Sequence, residues 1–448
     1  MFTVDKNTPI SKELIKSAID YNEACRQRFE RLERYYLGRH DILDRTKTYT
    51  LKNNKIVVNH AKFITDINTG YLMGNPVQYS SKTQDIDEIL NAYKMQRISA
   101  LDNEIAKDLS IFGMQYEYIF LSDNVLKSKD IDNRNCVIVY DDTMEHNKMY
   151  GIIYELGNKK DQYYQILVLT DTLIIEYAKN GVIVRGDEQV HTFGQVPIIE
   201  YHNNSEKLGD FEVVLPLIDA YNMLQSDRVN DKEQLVDAIL VLYGINLTKE
   251  QANELKANRL MANVPKDSKA EYLIKAINEA DADVLRQVLE SDIHKISMTP
   301  NLTDENFVGN SSGVAIKYKL IAFEQNIMNK ERYFEEGLLE RVKIYNNYFY
   351  SIGKMPLLDL WDVDVVFKRN LPQNDLETSQ MINNLMSLVD KKTLLENLSF
   401  VDDAQTIIKT KEDEDKLEIS MESPQIATLD ENIDILEQSG RRLYFSKR

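Results

Sequence analysis

The stretch Ser297-Met298-Thr299-Pro300-Asn301-Leu302-Thr303-Asp304-Glu305-Asn306-Phe307-Val308-Gly309-Asn310 decides the fold, because it is rich in turn residues and has no apolar period. Irregular connections of this length inside a compact chain are functional or mobile. Helical patterns frame it on both sides. A helix is predicted from Glu279 to Ser297. After the loop, Ser311 and Ser312 offer caps for a second helix, along which Leu320, Phe323, Ile327, Phe334, Leu338, Val342, Tyr345 and Phe349 recur at helical spacing. At roughly 36 residues this helix would be about 54 Å long, and Gly337 inside it predicts a bend.

Upstream, Pro216 to Gly244 reads as another helix, with its proline near the start where no amide donor is needed. Ile245 to Asn278 is a small mixed insertion, with a helix over Leu247 to Met261 and a strand at Glu271 to Ile274. The first 205 residues read as an α+β unit. Its first helix runs from the cap at Thr8-Pro9 to Gly38, with Cys25 on the apolar face. A short strand is predicted at Lys55 to His60, followed by helices bearing Phe63, Ile64, Ile67 and Tyr71 and spanning Ile98 to Phe112. Strands then follow at Gln115–Leu121, Cys136–Tyr140, Gly151–Leu156, Tyr163–Leu169, Thr172–Tyr177, Val182–Arg185 and Pro197–Tyr201. Asn180-Gly181 supplies a tight hairpin turn. Beyond the long helix come a strand at Val363–Phe367, helical segments from Asp375 to Ile408 and an acidic tail.

Over 448 residues, 43% hydrophobic and 28% charged content fits a folded globular chain of several structural units. A net charge of −18 is the wrong sign for a broad DNA-gripping face. Cys25 and Cys136, the two cysteines, lack the spacing of a disulfide framework or zinc site. The N-terminus lacks a signal-peptide core, and no apolar run approaches the roughly 18 residues of a membrane span. No membrane role is expected.

The sequence contains no Walker or G-x-G-x-x-G loop, no H-E-x-x-H and no G-x-S-x-G. No catalytic residue, metal site or cofactor is therefore expected. Asp141-Asp142-Thr143-Met144-Glu145-His146 has the ligand types for a cation, but it reads first as an acidic turn between two strands. Glu104 and Asp108 read as a solvated helix face. Lys317, Lys319, Lys330, Arg332, Arg341 and Lys343 alternate with Glu324, Glu331, Glu335, Glu336 and Glu340, the pattern of surface ion pairing. The 25 tyrosines are scattered, as strand and interface packing would have them.

Three groups of residues carry a resemblance: Tyr35-Tyr36-Leu37-Gly38-Arg39-His40; Asn59-His60-Ala61-Lys62-Phe63-Ile64 with Gly70-Tyr71-Leu72-Met73-Gly74-Asn75-Pro76; and Pro197-Ile198-Ile199-Glu200-Tyr201 through Ile218-Asp219-Ala220-Tyr221-Asn222. With the order of elements, they make the chain similar to portal proteins of tailed siphophages over nearly its whole length. The resemblance implies an α+β portal fold in a homo-oligomeric ring of twelve at one capsid vertex. Double-stranded DNA would pass through it, with terminase, a head-completion or adaptor protein and the major capsid or scaffolding protein as partners. Assembly would take place in the host cytoplasm.

By position, the resemblance makes 1–205 the N-terminal helices and α+β wing, 206–244 and 279–297 the two stem helices and 245–278 a clip facing terminase through Lys256, Arg259, Lys266 and Lys269. It makes 298–312 the tunnel loop, 313–374 the long kinked helix with a returning wing strand, and 375–448 a helical crown with an acidic tail. Thr299, Asn301, Asn306 and Asn310 are the expected polar neighbours of DNA, with Pro300 and Thr303 in the same loop and Leu302, Phe307 and Val308 packing loop against loop. An acidic lumen would suit this, since each phosphate neutralised by a fixed cation adds affinity and drag. A capsid-associated enzyme or minor head protein, or a cellular oligomeric scaffold, are the alternatives.

Overall fold

The computed structural model describes residues 1–47, 53–156, 163–179, 182–236, 239–243, 248–250, 269–273, 279–301, 318, 320–369, 375–396, 407–408 and 410–411. The chain forms two compact units, Met1–Asn370 and Leu371–Arg448.

The first unit opens with strand β1 (Phe2–Val4) and helix α1 (Lys12–Tyr36), capped by Ser11, whose hydroxyl accepts from the Leu14 amide at 3.1 Å. The start therefore falls three residues beyond Pro9, at the first side chain able to satisfy an end amide. Cys25 is half-buried on α1. Helix α2 (His60–Met73) follows, then β2 (Gln78–Ser81), α3 (Asp87–Gln96) and α4 (Ile98–Phe112). The sheet region contains β3 (Met114–Ser122), β4 (Val125–Ile131), β5 (Cys136–Asp141), β6 (Lys148–Leu156), β7 (Tyr163–Leu169), β8 (Leu173–Glu176), β9 (Ala178–Lys179), β10 (Val182–Ile183), β11 (Glu188–Val190) and β12 (Ile198–His202). One sheet has the order β1-β5-β6-β7-β8-β11 and another β12-β3-β4. The antiparallel pair Lys179↔Val182 flanks the Asn180-Gly181 turn, which itself lies outside the described residues.

Helix α5 (Leu215–Val236) carries Pro216 in its first turn, but ends eight residues before the predicted stop at Gly244. Ile239–Tyr243 is instead strand β13, paired antiparallel with β14 (Lys269–Leu273). Its run of branched and aromatic residues satisfies either pattern by periodicity alone, and an available partner strand decides it. Helix α6 (Glu279–Ile296) and the 31-residue helix α7 (Ile321–Ser351) bracket the loop region, and β15 (Val363–Val366) returns to pair with β2. The second unit contains α8 (Asp375–Leu385) and α9 (Lys391–Glu396).

The predicted strand at Lys55–His60 does not form. The amides of Asn54, Ile56 and Val58 instead donate to Asn230 Oδ1 (2.7 Å), Ser226 Oγ (2.9 Å) and Asn222 Oδ1 (2.8 Å), side chains four residues apart on α5. The periods match: two residues of extended chain rise about 6.6 Å and four of helix about 6 Å. A polar stripe on α5 thus replaces a partner strand and binds the segment that leads into α2.

Two cores result. The first half of α1 packs Ile15, Ala18 and Ile19 on Val137, Val139, Ile152, Ile166 and Val168 of the larger sheet. Its second half joins α2, α5 and α6 through Leu32, Tyr35, Ala61, Ile64, Ile218, Tyr221 and Ile293.

Candidate functional site

The loop framed by α6 and α7 emerges from a buried polar root. Helix α6 stops in a turn where Met298 takes φ 54°. The Thr299 amide donates to His294 O (3.1 Å), and His294 Nδ1 donates back to Thr299 O (3.1 Å). The Thr299 hydroxyl accepts from Asn68 Nδ2 of α2 at 3.0 Å, and Asn68 Oδ1 accepts from Lys330 Nζ of α7 at 3.0 Å. Lys330 also pairs with Asp210, whose other contacts are Ser110 Oγ (2.6 Å) and Asn203 Nδ2 (2.8 Å). His294 is half-buried, and the other side chains of this group are buried. Burial lowers the Lys330 pKa and Asp210 works against that shift. The last helical residue region before the loop and the helix after it are therefore joined by one chain of hydrogen bonds through α2. Breaking such a chain leaves buried donors and acceptors unpaired, which costs more than the net worth of the bonds.

A second joint holds α7 to the smaller sheet. Arg341, fully buried, donates from Nε to both Glu117 oxygens (2.9 Å each) and from Nη1 to Asp102 Oδ1 (2.6 Å). Burial would lower its pKa, but Asp102 and Glu117 outweigh it and hold the guanidinium well above its ordinary value. Tyr201 Oη donates to Glu117 Oε2 at 2.5 Å. One helical turn before Arg341, Gly337 lies under the Tyr201 ring, where a Cβ would sit 2.4 Å from ring carbons. Gly337 thus fits a close approach of helix to sheet, within a helix continuous from Ile321 to Ser351. Farther along, Tyr345 Oη bonds Ser128 Oγ at 2.9 Å, and Glu340 accepts from Lys148 at 2.6 Å.

Of the cations read from the sequence as surface-paired, Lys317 and Lys319 lie outside the described residues, Arg332 and Lys343 are exposed, and Lys330 and Arg341 are buried. Their partners, Asp210, Asp102 and Glu117, lie more than a hundred residues away in the chain, so the local interleaving of acids could not reveal them.

Among the expected loop residues, Thr299 is 1% exposed and anchors the root, which leaves it no face for DNA. Pro300 and Asn301 are half-buried, and Asn301 Nδ2 reaches Glu290 Oε1 at 3.3 Å. Leu302, Thr303, Asn306, Phe307, Val308 and Asn310 lie outside the described residues, as do Lys256, Arg259 and Lys266. Lys269 opens β14 and is exposed.

The acidic turn is self-satisfied. Asp141 Oδ1 accepts from the Thr143 hydroxyl (2.6 Å) and the Asn147 amide (3.0 Å), and Oδ2 from Asn147 Nδ2 (3.2 Å). Among the described residues no three His, Cys, Asp or Glu side chains converge as a metal cage, and no helix is long and apolar enough to cross a membrane.

Residues 15–421 match the family model described as phage portal protein, SPP1 Gp6-like. The chain is 23% identical to a portal protein of Clostridium phage phiCD119, over 91% of this chain and 97% of that protein. It is likewise 23% identical to the portal protein of Bacillus phage SPP1, covering 85% of this chain and 82% of that one.

Proposed function

The chain belongs to the SPP1 Gp6-like family of phage portal proteins, and from that premise we propose a division of labour among its segments. As a portal protein it is a capsid-vertex component serving passage of viral DNA during packaging and ejection, and the family is structural rather than enzymatic. In the proposal twelve copies close the ring, α5 and α6 form its stem, and residues 302–310 face the DNA. Thr299 is the fixed root of that loop, and Gly337 lets α7 close on the wing. Residues 245–278, with Lys256, Arg259, Lys266 and Lys269, dock terminase and later a head-completion protein. The chain has no catalytic role of its own, and rings assemble in the host cytoplasm before capsid closure.

The buried tie Thr299–Asn68–Lys330 carries this reading, because it joins the residue at the loop's leading end to α2 and to the helix that follows the loop. Apolar side chains left about half exposed on α6, Val284, Leu285, Val288 and Ile296, support association of copies.

Electron microscopy of the purified protein tests the reading. Rings with a central channel are expected, and a population of monomers under every assembly condition would overturn it. Deleting residues 302–310 while keeping Thr299 should leave rings intact and stop packaging. Normal packaging by that variant would remove the loop from the DNA path.

A further inference from the structure

A cleft of about 280 Å³ opens where the C-terminal end of α1, the last turns of α4 and the segment from β4 to Arg134 meet. Its walls carry Glu33, Asp108, Asp130 and Asp132. Two of these acids are already neutralised: Arg134 bridges Glu33 (2.7 Å) and Asp132 (2.5 Å). Lys107, on the same wall, is taken by Glu104. Asp108 and Asp130 remain without a cationic partner at bonding distance among the described residues.

Acidity alone would describe a solvated cleft. The second observation is independent of charge: Gln115 and Asn133, each only 2% exposed, also line the cleft, and Gln115 Oε1 and Asn133 Oδ1 have no hydrogen-bond donor. Their amide nitrogens are committed, to Asp108 Oδ2 at 3.2 Å and to Met114 O at 2.7 Å, and these bonds fix which end of each amide is the oxygen. A buried acceptor without a donor is costly and rare. Two of them beside two carboxyl groups that lack an ion-pair partner call for a ligand that brings positive charge and takes oxygen donors.

We propose that this cleft binds a divalent metal cation, with Asp108 and Asp130 supplying carboxylate oxygens, Gln115 and Asn133 supplying amide oxygens, and water completing the coordination shell. An all-oxygen donor set without thiol or imidazole selects hard ions of the magnesium and calcium class. Two carboxylates with retained water is the usual protein contribution to a magnesium site, which agrees with the absence of a three-carboxylate cage. The ion would clamp α4 to the strand β4 and the turn after it, at the point where α1 crosses both. The site makes no use of the loop or of ring formation, so its test stands apart from the portal reading.

The full-length protein is titrated with terbium chloride, exciting tyrosine and recording lanthanide emission sensitised by Tyr36, which lines the cleft. One saturable phase is expected, displaced by calcium or magnesium. Asp108→Asn and Asp130→Asn should each weaken it by roughly tenfold or more, with circular dichroism unchanged. Tyr36→Phe should remove the emission and leave calorimetric magnesium binding in place. Terbium binding of natural strength in both aspartate variants overturns the proposal, as does displacement by spermidine but not by calcium or magnesium, which would make the occupant a polyamine. Should Asp108→Asn fail to fold, Asp130→Asn on its half-exposed strand position decides alone.

Discussion

Gly337, Arg341 and His60 each concentrate a fold-level decision in one side chain. Replacing Gly337 by alanine would add about 1 kcal/mol of helix propensity, yet its methyl would enter the Tyr201 ring, which the Glu117 bond holds in place. Overpacking of this kind costs about 1–3 kcal/mol. We predict a net fall in melting temperature for Gly337→Ala, and a rise would show that Tyr201 yields freely. Arg341→Met strands Asp102 and Glu117 without their countercharge and should cost about 3–5 kcal/mol in chemical denaturation. A loss below about 1 kcal/mol would place the pair among exposed salt bridges.

His60, buried with Nε2 unpaired, has its pKa pushed down to about 4 by burial and by His294 at 5.9 Å, with Glu290 opposing and His40 adding a smaller push. A histidine depressed in the fold binds its proton more tightly when unfolded. Its contribution is therefore full above the ordinary value of 6.5 and is lost as pH falls from there through about 4. We predict acid destabilisation in that window, flattened in His60→Gln. Equal acid slopes in the two proteins would assign the effect to other groups.

At the scale of elements, periodicity disclosed what is long and regular. The apolar stripe of α7, the boundaries of α4 and the start of α6 all follow from spacing visible in the sequence. It failed where a tertiary partner chose between equal patterns. Ile239–Tyr243 became a strand because Lys269–Leu273 lies beside it, and the strand expected at Lys55–His60 did not form because α5 offers acceptors at matching intervals to the amides of Asn54, Ile56 and Val58. The candidate site was half legible: the loop's leading edge at the end of α6 was readable, its far edge behind Ser311 and Ser312 lies outside the described residues, and its root was not readable, since Asn68 and Lys330 are 262 residues apart. Lys330→Met and Asn68→Ala should each speed amide hydrogen exchange over residues 294–301 while leaving the β5–β6 pair protected. Unchanged exchange there would mean that the α6 turn holds Thr299 unaided.

For the whole molecule, a net charge of −18 per chain sets the terms on which DNA can pass. A channel wall that shared this sign would repel phosphate, and a wall with few cations facing the duplex would release few counterions on contact. Fluorescence anisotropy with duplex DNA should find affinity no tighter than the non-specific range of about 10⁻⁴–10⁻⁶ M at physiological salt, with a shallow salt dependence. A nanomolar dissociation constant falling steeply with salt would contradict loose guidance.

The attachments of α7 have a mechanical consequence. Lys330, Arg341 and Tyr345 fasten one face of the helix at three stations spread over about 22 Å of its axis. Tension directed along that axis would strain all three stations in shear and share the load among them. A pull across the axis at the Ile321 end would instead peel them in succession, Lys330 yielding first. The same rod is therefore stiff to thrust in one direction and open to prying in another, and optical-tweezers handles placed in the two geometries should give a markedly higher rupture force for the first.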